Sequence, residues 1–433
     1  MWDTERGPGA ARAGAGVSAR GADVIVVGGG AIGLAAAWRL AQRGAAVTVV
    51  DPTPGGGAST VAAGMLAPVT EARPGDDDLL ALAMASWGGW PVFAAEVEAA
   101  SGRPIGYRAD GTLVAALDAD DRAALDELVA RQRALGLEVT PLRGREARAL
   151  EPGLAPGVRA GALAAGERSV DPEALHAALV VAAERAGVGL VASRVDRILT
   201  TGAAPGEDTP SGAGTEGSRG VGAGGSPGGE GMWVVGVALA GGDVVQAPSV
   251  VLAAGCWSAT VEGLPDTARP PVRPVKGQIV TLRQPSGEPL LTRTVRGLVH
   301  GFSIYLVPRD DGRIVCGATV EERGYDTTVT AGGAYELLRD VLALVPGLDD
   351  AELVAVRAGL RPGSPDDLPM VGPSTVRGLV VATGHHRNGI LLTPITAEAV
   401  AAAVAGQPVA PQVVACDPRR FAAAPTAARV SAS

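Results

Sequence analysis

Three glycines and one aspartate near the start of the chain have the types and spacing that hold a dinucleotide. Gly28, Gly30 and Gly33 form the pattern G-x-G-x-x-G directly after a short apolar run. In such a pattern one glycine makes the tight turn, one lets a pyrophosphate approach the backbone, and one allows a helix to pack closely on a strand. Asp51 ends the next apolar run, where a carboxylate can accept hydrogen bonds from an adenosine ribose. The pattern favours dinucleotide binding over an ordinary glycine-rich turn.

The elements that position these residues follow from the apolar pattern around them. Residues 23–27 and 47–50 are β-rich runs typical of buried parallel strands, and residues 31–43 are predicted to form a helix. The N-terminus of that helix would offer unpaired N–H groups and a partial positive charge to phosphates. Residues 52–68 are mostly small, so they either press against a flat ligand or form an ordinary surface loop. The second half of a nicotinamide-type domain is not visible there, which disfavours a nicotinamide-dependent dehydrogenase.

Length and composition exclude several classes of protein. With 433 residues, 47% of them hydrophobic, the chain is expected to form two domains with sizeable cores. The net charge of −9 argues against nucleic acid and anionic membranes as partners. No window has the ~18 consecutive apolar residues of a membrane span, and no apolar segment of a secretory signal is visible near the start. We therefore expect a cytoplasmic protein.

The cysteines and histidines do not have the spacing of a metal site. Cys256, Cys316 and Cys416 lie far apart and are odd in number, so neither a disulfide framework nor a zinc pattern is predicted. The chain has four histidines, which is too few for a histidine-rich metal site. No metal is expected.

The rest of the chain mixes helical and strand-like segments. Helices are predicted at residues 79–100, 120–135, 172–186, 334–344 and 394–405. Strands are predicted at residues 105–117 (as a pair), 188–198, 233–239, 243–246, 249–254, 277–282, 303–307, 314–317 and 379–383. Trp87 and Trp90, three residues apart on one helix, are interpreted as core. Residues 1–20 and the Gly/Ser/Pro-rich segment 202–231 are expected to be disordered.

A second strand, glycine loop and helix occur near the end of the chain. The predicted strand 379–383 runs into the sequence GHHRNG, and a helix follows. His385 and His386 could act as bases, but we interpret them as residues that shape the loop. This order of strand, glycine-rich loop and helix is the same as that predicted for residues 23–43.

Several motifs, taken in order, resemble a known family. They are GGGASTVAAGMLAP, VRPVKGQ, YLVPR, VCGATVE, AGLRPGSPDDLPMVG and GHHRNGILLTP. Together they are similar to the glycine oxidases of thiamine thiazole biosynthesis, within the D-amino-acid-oxidase-like FAD-dependent oxidoreductases. The resemblance runs from residue 23 to about residue 418, apart from segment 202–231.

The resemblance implies an α/β fold in which two domains are interleaved. A Rossmann-like FAD-binding domain would comprise residues 21–92, 157–268 and 357–418. An α+β substrate-binding domain with a mixed sheet would comprise residues 93–156 and 269–356, and residues 419–433 would be a disordered tail.

The resemblance also implies which residues hold FAD. They are Gly28, Gly30, Ala31, Ile32, Gly33, Asp51, Ser59, Thr60, Ala63, Gly64, Met65, Val195, Ala254, Gly255, Trp257, Arg361, His386, Arg387, Asn388, Gly389, Ile390 and Leu391. The family usually has glutamate where this chain has Asp51, so the shorter side chain would reach only one ribose hydroxyl or act through a water molecule. Backbone amides from Gly389 onwards would stabilise negative charge on the flavin pyrimidine. Because AGLRPGSPDD contains no cysteine, the resemblance implies non-covalent FAD.

A small amino acid would be held mainly through its carboxylate. Recognition in a dry pocket calls for a bidentate arginine, and Arg361 occupies the family's carboxylate-binding position. Tyr305 matches the tyrosine that supports that carboxylate, and the backbone carbonyl of Arg387 is expected near the amine. Met65 and Val320 would line the pocket, with Val320 at a position where the family has methionine. By spacing, His300 falls near the position of a second tyrosine.

The implied activity is oxidative deamination of glycine or another small amine. Hydride transfer to the flavin, with no separate catalytic side chain, would give an imino acid or glyoxylate, ammonia and hydrogen peroxide. The imino acid would supply thiamine thiazole synthesis, and the resemblance suggests a homotetramer. Four alternatives remain open: a sarcosine, proline or D-amino-acid oxidase, a dehydrogenase of the same family, the FAD domain of a tRNA-modifying enzyme, and a flavoprotein without turnover. The negative charge disfavours the tRNA enzyme.

Overall fold

The structure is a computed structural model that describes residues 22–202 and 231–422. The predicted disordered segment 1–20, residues 203–230 of the predicted segment 202–231, and the part of the predicted tail beyond residue 422 lie outside the described residues. The described residues form seven α-helices: α1 Ala31–Gln42, α2 Asp77–Ser101, α3 Ala119–Ala134, α4 Gly144–Leu150, α5 Pro172–Arg185, α6 Ala331–Leu344 and α7 Thr393–Val404.

The same residues form nineteen β-strands. Before residue 202 these are β1 Val24–Val27, β2 Val47–Val50, β3 Met65–Leu66, β4 Thr112–Ala116, β5 Thr140–Arg143, β6 Ala160–Ala164, β7 Arg168–Ser169, β8 Gly189–Val191 and β9 Val195–Thr201. After residue 231 they are β10 Trp233–Leu239, β11 Val244–Gln246, β12 Ser249–Leu252, β13 Arg273–Arg283, β14 Thr294–Val299, β15 Phe302–Pro308, β16 Arg313–Gly317, β17 Glu352–Gly363, β18 Met370–Pro373 and β19 Leu379–Thr383.

A six-stranded sheet forms the centre of the first domain. Its order is β18-β19-β12-β1-β2-β8, and every neighbouring pair is parallel except β18 with β19. Val24 and Val26 of β1 pack among helices α1, α2, α5 and α7, whereas Ile25 and Val27 pack against the small sheet β11-β10-β9. Because both faces of β1 are covered, its sequence is a continuous apolar run.

An eight-stranded mixed sheet forms the second domain, in the order β17-β13-β16-β15-β14-β4-β6-β5. Its neighbours are antiparallel except for the parallel pair of β14 and β4. Leu113 of β4 packs in a core with Leu337 and Val341 of α6, whereas Val114 packs on the opposite face in a core with Leu125 of α3. The predicted fold class, a Rossmann-like domain interleaved with a mixed-sheet domain, is confirmed.

The structure corrects three of the predicted domain boundaries. Helix α2 continues to Ser101, and its residues Phe93 and Val97 are buried in the core of the first domain, so that domain does not end at residue 92. Strand β6 belongs to the eight-stranded sheet although it lies after residue 157, and β17 keeps that sheet going to Gly363. These boundaries depend on which distant strands pair, and no local pattern shows that.

The predicted C-terminal tail also begins too early. Residues Pro418–Phe421 form a short 3₁₀ helix, and Arg420 donates to both carboxylate oxygens of Asp366, at 2.8 and 3.0 Å. The segment beginning at residue 419 is therefore anchored to the loop between β17 and β18. None of the helices in the described parts of the chain is long and apolar enough to cross a bilayer.

Candidate active site

A cavity of about 710 Å³ lies between the carboxyl ends of β1, β12 and β19 and one face of the eight-stranded sheet. Almost all of the predicted site residues line it. They are Gly28, Gly30, Ala31, Ile32, Asp51, Ser59, Ala63, Gly64, Met65, Val195, Ala254, Gly255, Trp257, Tyr305, Val320, Arg361, His386, Arg387, Asn388, Gly389, Ile390 and Leu391. The cavity therefore joins the nucleotide-binding pattern at one end to the predicted substrate residues at the other.

Three predicted residues lie elsewhere. Gly33 is not in the cavity wall, because it lies beneath the turn, where a Cβ would collide with the carbonyl of Gly28. Thr60 points its hydroxyl back to its own loop and donates to the Gly55 carbonyl at 2.7 Å. His300 is at the turn between β14 and β15, where Asp121 accepts from its backbone N–H at 3.0 Å. His300 is therefore not a pocket residue, and the spacing argument for it was wrong.

The turn from β1 into α1 is held open by hydrogen bonds to neighbouring segments. Gly28 has φ +111°, a conformation that favours glycine, and a side chain there would collide with the backbone at Ala253. Asp51 Oδ2 accepts from the Gly29 N–H at 2.6 Å, and the Ser59 hydroxyl accepts from the Ala31 N–H at 3.0 Å. These hydrogen bonds fix the backbone of the loop.

His176 is a contributor to this loop that sequence reasoning missed. Its Nε2 lies 2.9 Å from the carbonyl oxygen of Gly29, and the ring is buried on α5. The sequence placed this histidine only inside a predicted helix. No pattern linked it to a glycine loop far away in the chain.

The GHHRNG loop supplies the other glycine-rich turn of the cavity, between β19 and α7. His385 Nε2 lies 3.0 Å from the Thr396 hydroxyl, and burial lowers the pKa of His385 to about 3. Burial also lowers the pKa of His386 to about 4, although the carboxylate of Asp367, 3.5 Å away, raises it. Both rings are therefore neutral and weakly basic at pH 7, which supports their interpretation as loop-shaping residues.

Two side chains of α2 position the end of this loop. Ser86 Oγ and Trp90 Nε1 both donate to the carbonyl of Leu391, at 2.7 and 2.8 Å. Trp90 is fully buried, as predicted for a core residue. Its indole nitrogen therefore combines packing with a contact that fixes the backbone beside the cavity.

One face of the eight-stranded sheet forms the opposite wall of the cavity. The register places Arg296 of β14 opposite Tyr305 of β15, and Tyr305 opposite Gly317 of β16. Directly opposed residues share a face, so Arg296 and Tyr305 are neighbours on this wall. The same alternation continues through β13 to β17 and brings Arg361 to that face, opposite Val275.

Arg361 lies flat against the backbone of β13. A Cβ on Gly277 would occupy the position of its guanidinium group, so the arginine can lie there only because residue 277 has no side chain. Its Nη1 donates to the carbonyls of Thr319 and Lys276, at 3.2 and 3.4 Å. These contacts orient a planar, permanently charged group along the cavity wall, which suits a carboxylate.

Tyr305 lies over Gly317 in the same way, because a Cβ on that glycine would collide with the tyrosine ring. Burial raises the pKa of Tyr305 to about 12, even though the nearby charge of Arg361 lowers it. The hydroxyl therefore stays protonated and can donate a hydrogen bond to an anion. Val320 is 73% exposed and forms part of the cavity mouth, not a tight wall.

A mostly buried carboxylate and an arginine in the cavity wall were missed by sequence reasoning. Glu71 Oε1 is ion-paired with Arg296, and its Oε2 lies 3.4 Å from Nε of Arg387. Burial raises the pKa of Glu71, but the charges of Arg296 and Arg387 outweigh burial and hold the pKa below its usual range. Glu71 follows the GMLAP motif, a position that could have suggested it, whereas Arg296 lies in no motif.

Two further kinds of side chain bear on the chemistry of the cavity, namely possible metal ligands and cysteine. Within residues 22–202 and 231–422, no group of three or more His, Cys, Asp or Glu side chains is arranged to hold a metal ion. Cys256 lines the cavity, and burial raises the pKa of its thiol to about 12. A protonated thiol is a poor nucleophile.

Comparison with known proteins agrees with this geometry. A family model described as FAD dependent oxidoreductase (DAO) matches residues 23–403. The chain belongs to this family. Its members depend on FAD, so the predicted family and cofactor are confirmed. The cavity suits the cofactor, because a glycine turn with no room for a side chain leads into a helix N-terminus at one end.

The relatives include enzymes that act on glycine. A glycine oxidase of Geobacillus kaustophilus is 34% identical over 383 residues, which cover 88% of this chain and 92% of that protein. The crystal structure of glycine oxidase from Geobacillus kaustophilus matches with a TM-score of 0.77, covering 92% of this chain and 98% of the other. A bifunctional protein ThiO/ThiG of Trichormus variabilis is 33% identical over 88% of this chain. The chain spans 52% of the length of that protein.

Proposed function

We propose that this chain oxidises glycine with FAD and molecular oxygen, giving the imino acid and hydrogen peroxide. The observation that carries the proposal is the single cavity that contains both the nucleotide turn at Gly28 and the pair Arg361 and Tyr305. The similarity to glycine oxidases over most of the chain supports it. Non-covalent FAD fits, since the one cysteine in the cavity wall, Cys256, is held protonated.

The residues that would hold FAD are those of the two glycine-rich turns. The N–H groups at the start of α1 would bind the pyrophosphate, and Asp51 would bind the ribose while keeping its bond to Gly29. Residues Gly389, Ile390 and Leu391, just before α7, would place backbone amides at the positive end of a helix. When bound, FAD supplies the acceptor for a hydride and the route of two electrons to oxygen.

Arg361 would bind the substrate carboxylate, and the Tyr305 hydroxyl would donate to the same group. With the carboxylate fixed at one end, only the α-carbon and the amine are free to meet the cofactor, which is positioning, not acid–base catalysis. The carbonyl of Arg387 would accept from the amine. His385 and His386 are too weakly basic to be assigned a proton at pH 7.

The overall change balances without a further co-reactant. Glycine loses a hydride from its α-carbon and a proton from its nitrogen, and a C=N bond forms. Oxygen takes up the two electrons and two protons and becomes hydrogen peroxide. Water then converts the imino acid to glyoxylate and ammonia, unless the imino acid is consumed first.

Supply of the imino acid to thiamine thiazole synthesis is part of this proposal. It is supported by the similarity to the ThiO/ThiG protein, of which this chain spans about half. Assembly as a homotetramer and location in the cytoplasm are further predictions. The near alternatives are sarcosine, proline or a D-amino acid as substrate, and a dehydrogenase in place of an oxidase.

The test is a visible spectrum of the purified yellow protein without oxygen, before and after addition of glycine. We expect bleaching with glycine and none with glycinamide, which lacks the carboxylate for Arg361. Recovery of the yellow colour in air would identify an oxidase, and its absence a dehydrogenase. A protein that stays yellow with glycine but bleaches with sarcosine or D-proline would contradict the proposed substrate.

A further inference from the structure

The cavity wall contains more positive charge than one amino-acid carboxylate needs. Arg361 and Arg296 lie on the same face of the sheet, on either side of Tyr305. Arg296 lies directly opposite Tyr305 on the neighbouring strand, and both arginines line the same cavity as the tyrosine. An anion bound by Arg361 and Tyr305 would therefore have Arg296 as its next neighbour along the wall.

Arg387 adds a third guanidinium group from the GHHRNG loop. Its Nε lies 3.4 Å from Glu71, whose other oxygen is paired with Arg296, so one carboxylate bridges two arginines. The three side chains are mostly buried, with 14%, 16% and 25% of Arg296, Glu71 and Arg387 exposed. Each also lines the cavity. We call Arg296, Glu71 and Arg387 the distal triad.

The charges of this region do not cancel. The distal triad has a net charge of +1, and Arg361 adds another positive charge. Of the other nearby charges, that of Arg73 lowers the pKa of Arg387 and that of Asp367 raises it, so the two act on Arg387 in opposite directions. A bound monocarboxylate with a neutral amine neutralises Arg361 and leaves the triad positive. Buried excess charge is unfavourable unless a counter-charge reaches it.

We propose that the distal triad is a subsite for a second anionic group of the substrate. The substrate class is then amines with two carboxylates, such as N-carboxymethylglycine (iminodiacetate) or a D-amino dicarboxylate, in addition to glycine. One carboxylate binds Arg361 and Tyr305, and the other meets the N–H groups of Arg296 and Arg387. Glu71 holds the two arginines in place and prevents the subsite from attracting anions indiscriminately. This inference rests on the proposed function.

The first test uses anions that cannot be oxidised. Acetate, malonate and succinate are titrated into the holoenzyme, and binding is followed by the change in the flavin spectrum. A second charge-assisted contact should make the better dicarboxylate bind about tenfold or more tightly than acetate. Equal dissociation constants for all three would overturn the proposal.

Two variants with opposite expected effects test the residues themselves. The quantity compared is the dissociation constant of acetate divided by that of the dicarboxylate. Arg296→Gln should bring this ratio towards one. Glu71→Gln removes the negative charge from the triad, so it should raise that ratio. The matched control is Arg283→Gln, because Arg283 lies in the same sheet but pairs with Glu352 outside the cavity. An unchanged ratio in both triad variants would assign the triad a structural role only.

Turnover gives an independent measurement. The ratio of kcat/KM for iminodiacetate to kcat/KM for glycine should fall at least about tenfold in Arg296→Gln and stay constant in Arg283→Gln. An equal loss for both substrates would overturn the inference, because it would mean that Arg296 serves every substrate. If the wild-type protein neither binds acetate nor bleaches with glycine, the proposed function itself fails. If it bleaches with glycine but binds acetate and malonate equally, only the second subsite fails.

Discussion

Substitution of Gly277 by alanine should disable the carboxylate site without touching any residue that binds substrate. A Cβ at this position would occupy the space of the Arg361 guanidinium, which lies flat on the β13 backbone. The arginine would have to swing away and lose its bonds to the carbonyls of Thr319 and Lys276. The backbone of Gly277 lies in regular antiparallel pairing with β17, so the strand itself can accept alanine.

The magnitude follows from the interaction that is lost. A hydrogen bond to a charged group contributes about 1.5–3 kcal/mol, so apparent KM for glycine should rise roughly 10- to 150-fold. The assay is peroxide formation as a function of glycine concentration, with the flavin absorbance measured to confirm full FAD content. Gly332→Ala is the control, because a Cβ on this glycine of α6 would meet nothing within 4 Å apart from its chain neighbours and the backbone of its own helix.

A double-mutant cycle decides whether the effect passes through the arginine. Arg361→Ala should raise KM by a similar factor, and Gly277→Ala should add little in that background. Independent effects that multiply in the double variant would refute the reasoning. So would an unchanged KM in Gly277→Ala protein that is fully loaded with FAD.

Three further perturbations test other parts of the site. Asp51→Asn should weaken the binding of FAD about tenfold or more, because the charged acceptor for the Gly29 N–H is lost. Titration of the apoprotein with FAD measures this affinity, and an unchanged affinity would contradict the prediction. Trp90→Phe keeps an aromatic ring but removes the bond to the Leu391 carbonyl, so urea unfolding should show a loss of about 1 kcal/mol, and a neutral result would count against that bond. Burial raises the pKa of Glu167 from 4.5 to about 7 in the folded protein, so the folded state holds this proton more tightly than the unfolded state does. The free energy of unfolding should therefore fall by at most about 3 kcal/mol as the pH rises from about 4.5 to 7. Thermal unfolding of Glu167→Gln should lack this fall, and equal pH slopes for the two proteins would exclude it.

Local pattern was enough to predict the two glycine-rich turns. Strand β1, the glycine turn, helix α1 and strand β2 are consecutive in the chain, so their periodicity, glycines and terminal aspartate are all visible together. The same holds for β19, the GHHRNG loop and α7. Motif resemblance added Arg361 and Tyr305, which the structure places in one cavity with these turns. Their roles in binding remain predictions.

Pairing between distant strands decided the rest. Residues Arg296 and Glu71 are 225 positions apart, and only the register of β14 on β15 and the path of the chain after β3 bring them together. The sequence shows Gly277 as a small residue in a strand, but that its missing side chain makes room for Arg361 depends on the pairing of β13 with β17. Apolar periodicity records which face of a segment is buried and not which segment covers it. The sequence by itself therefore determined the nucleotide turns, and the tertiary structure determined the charge and shape of the substrate wall.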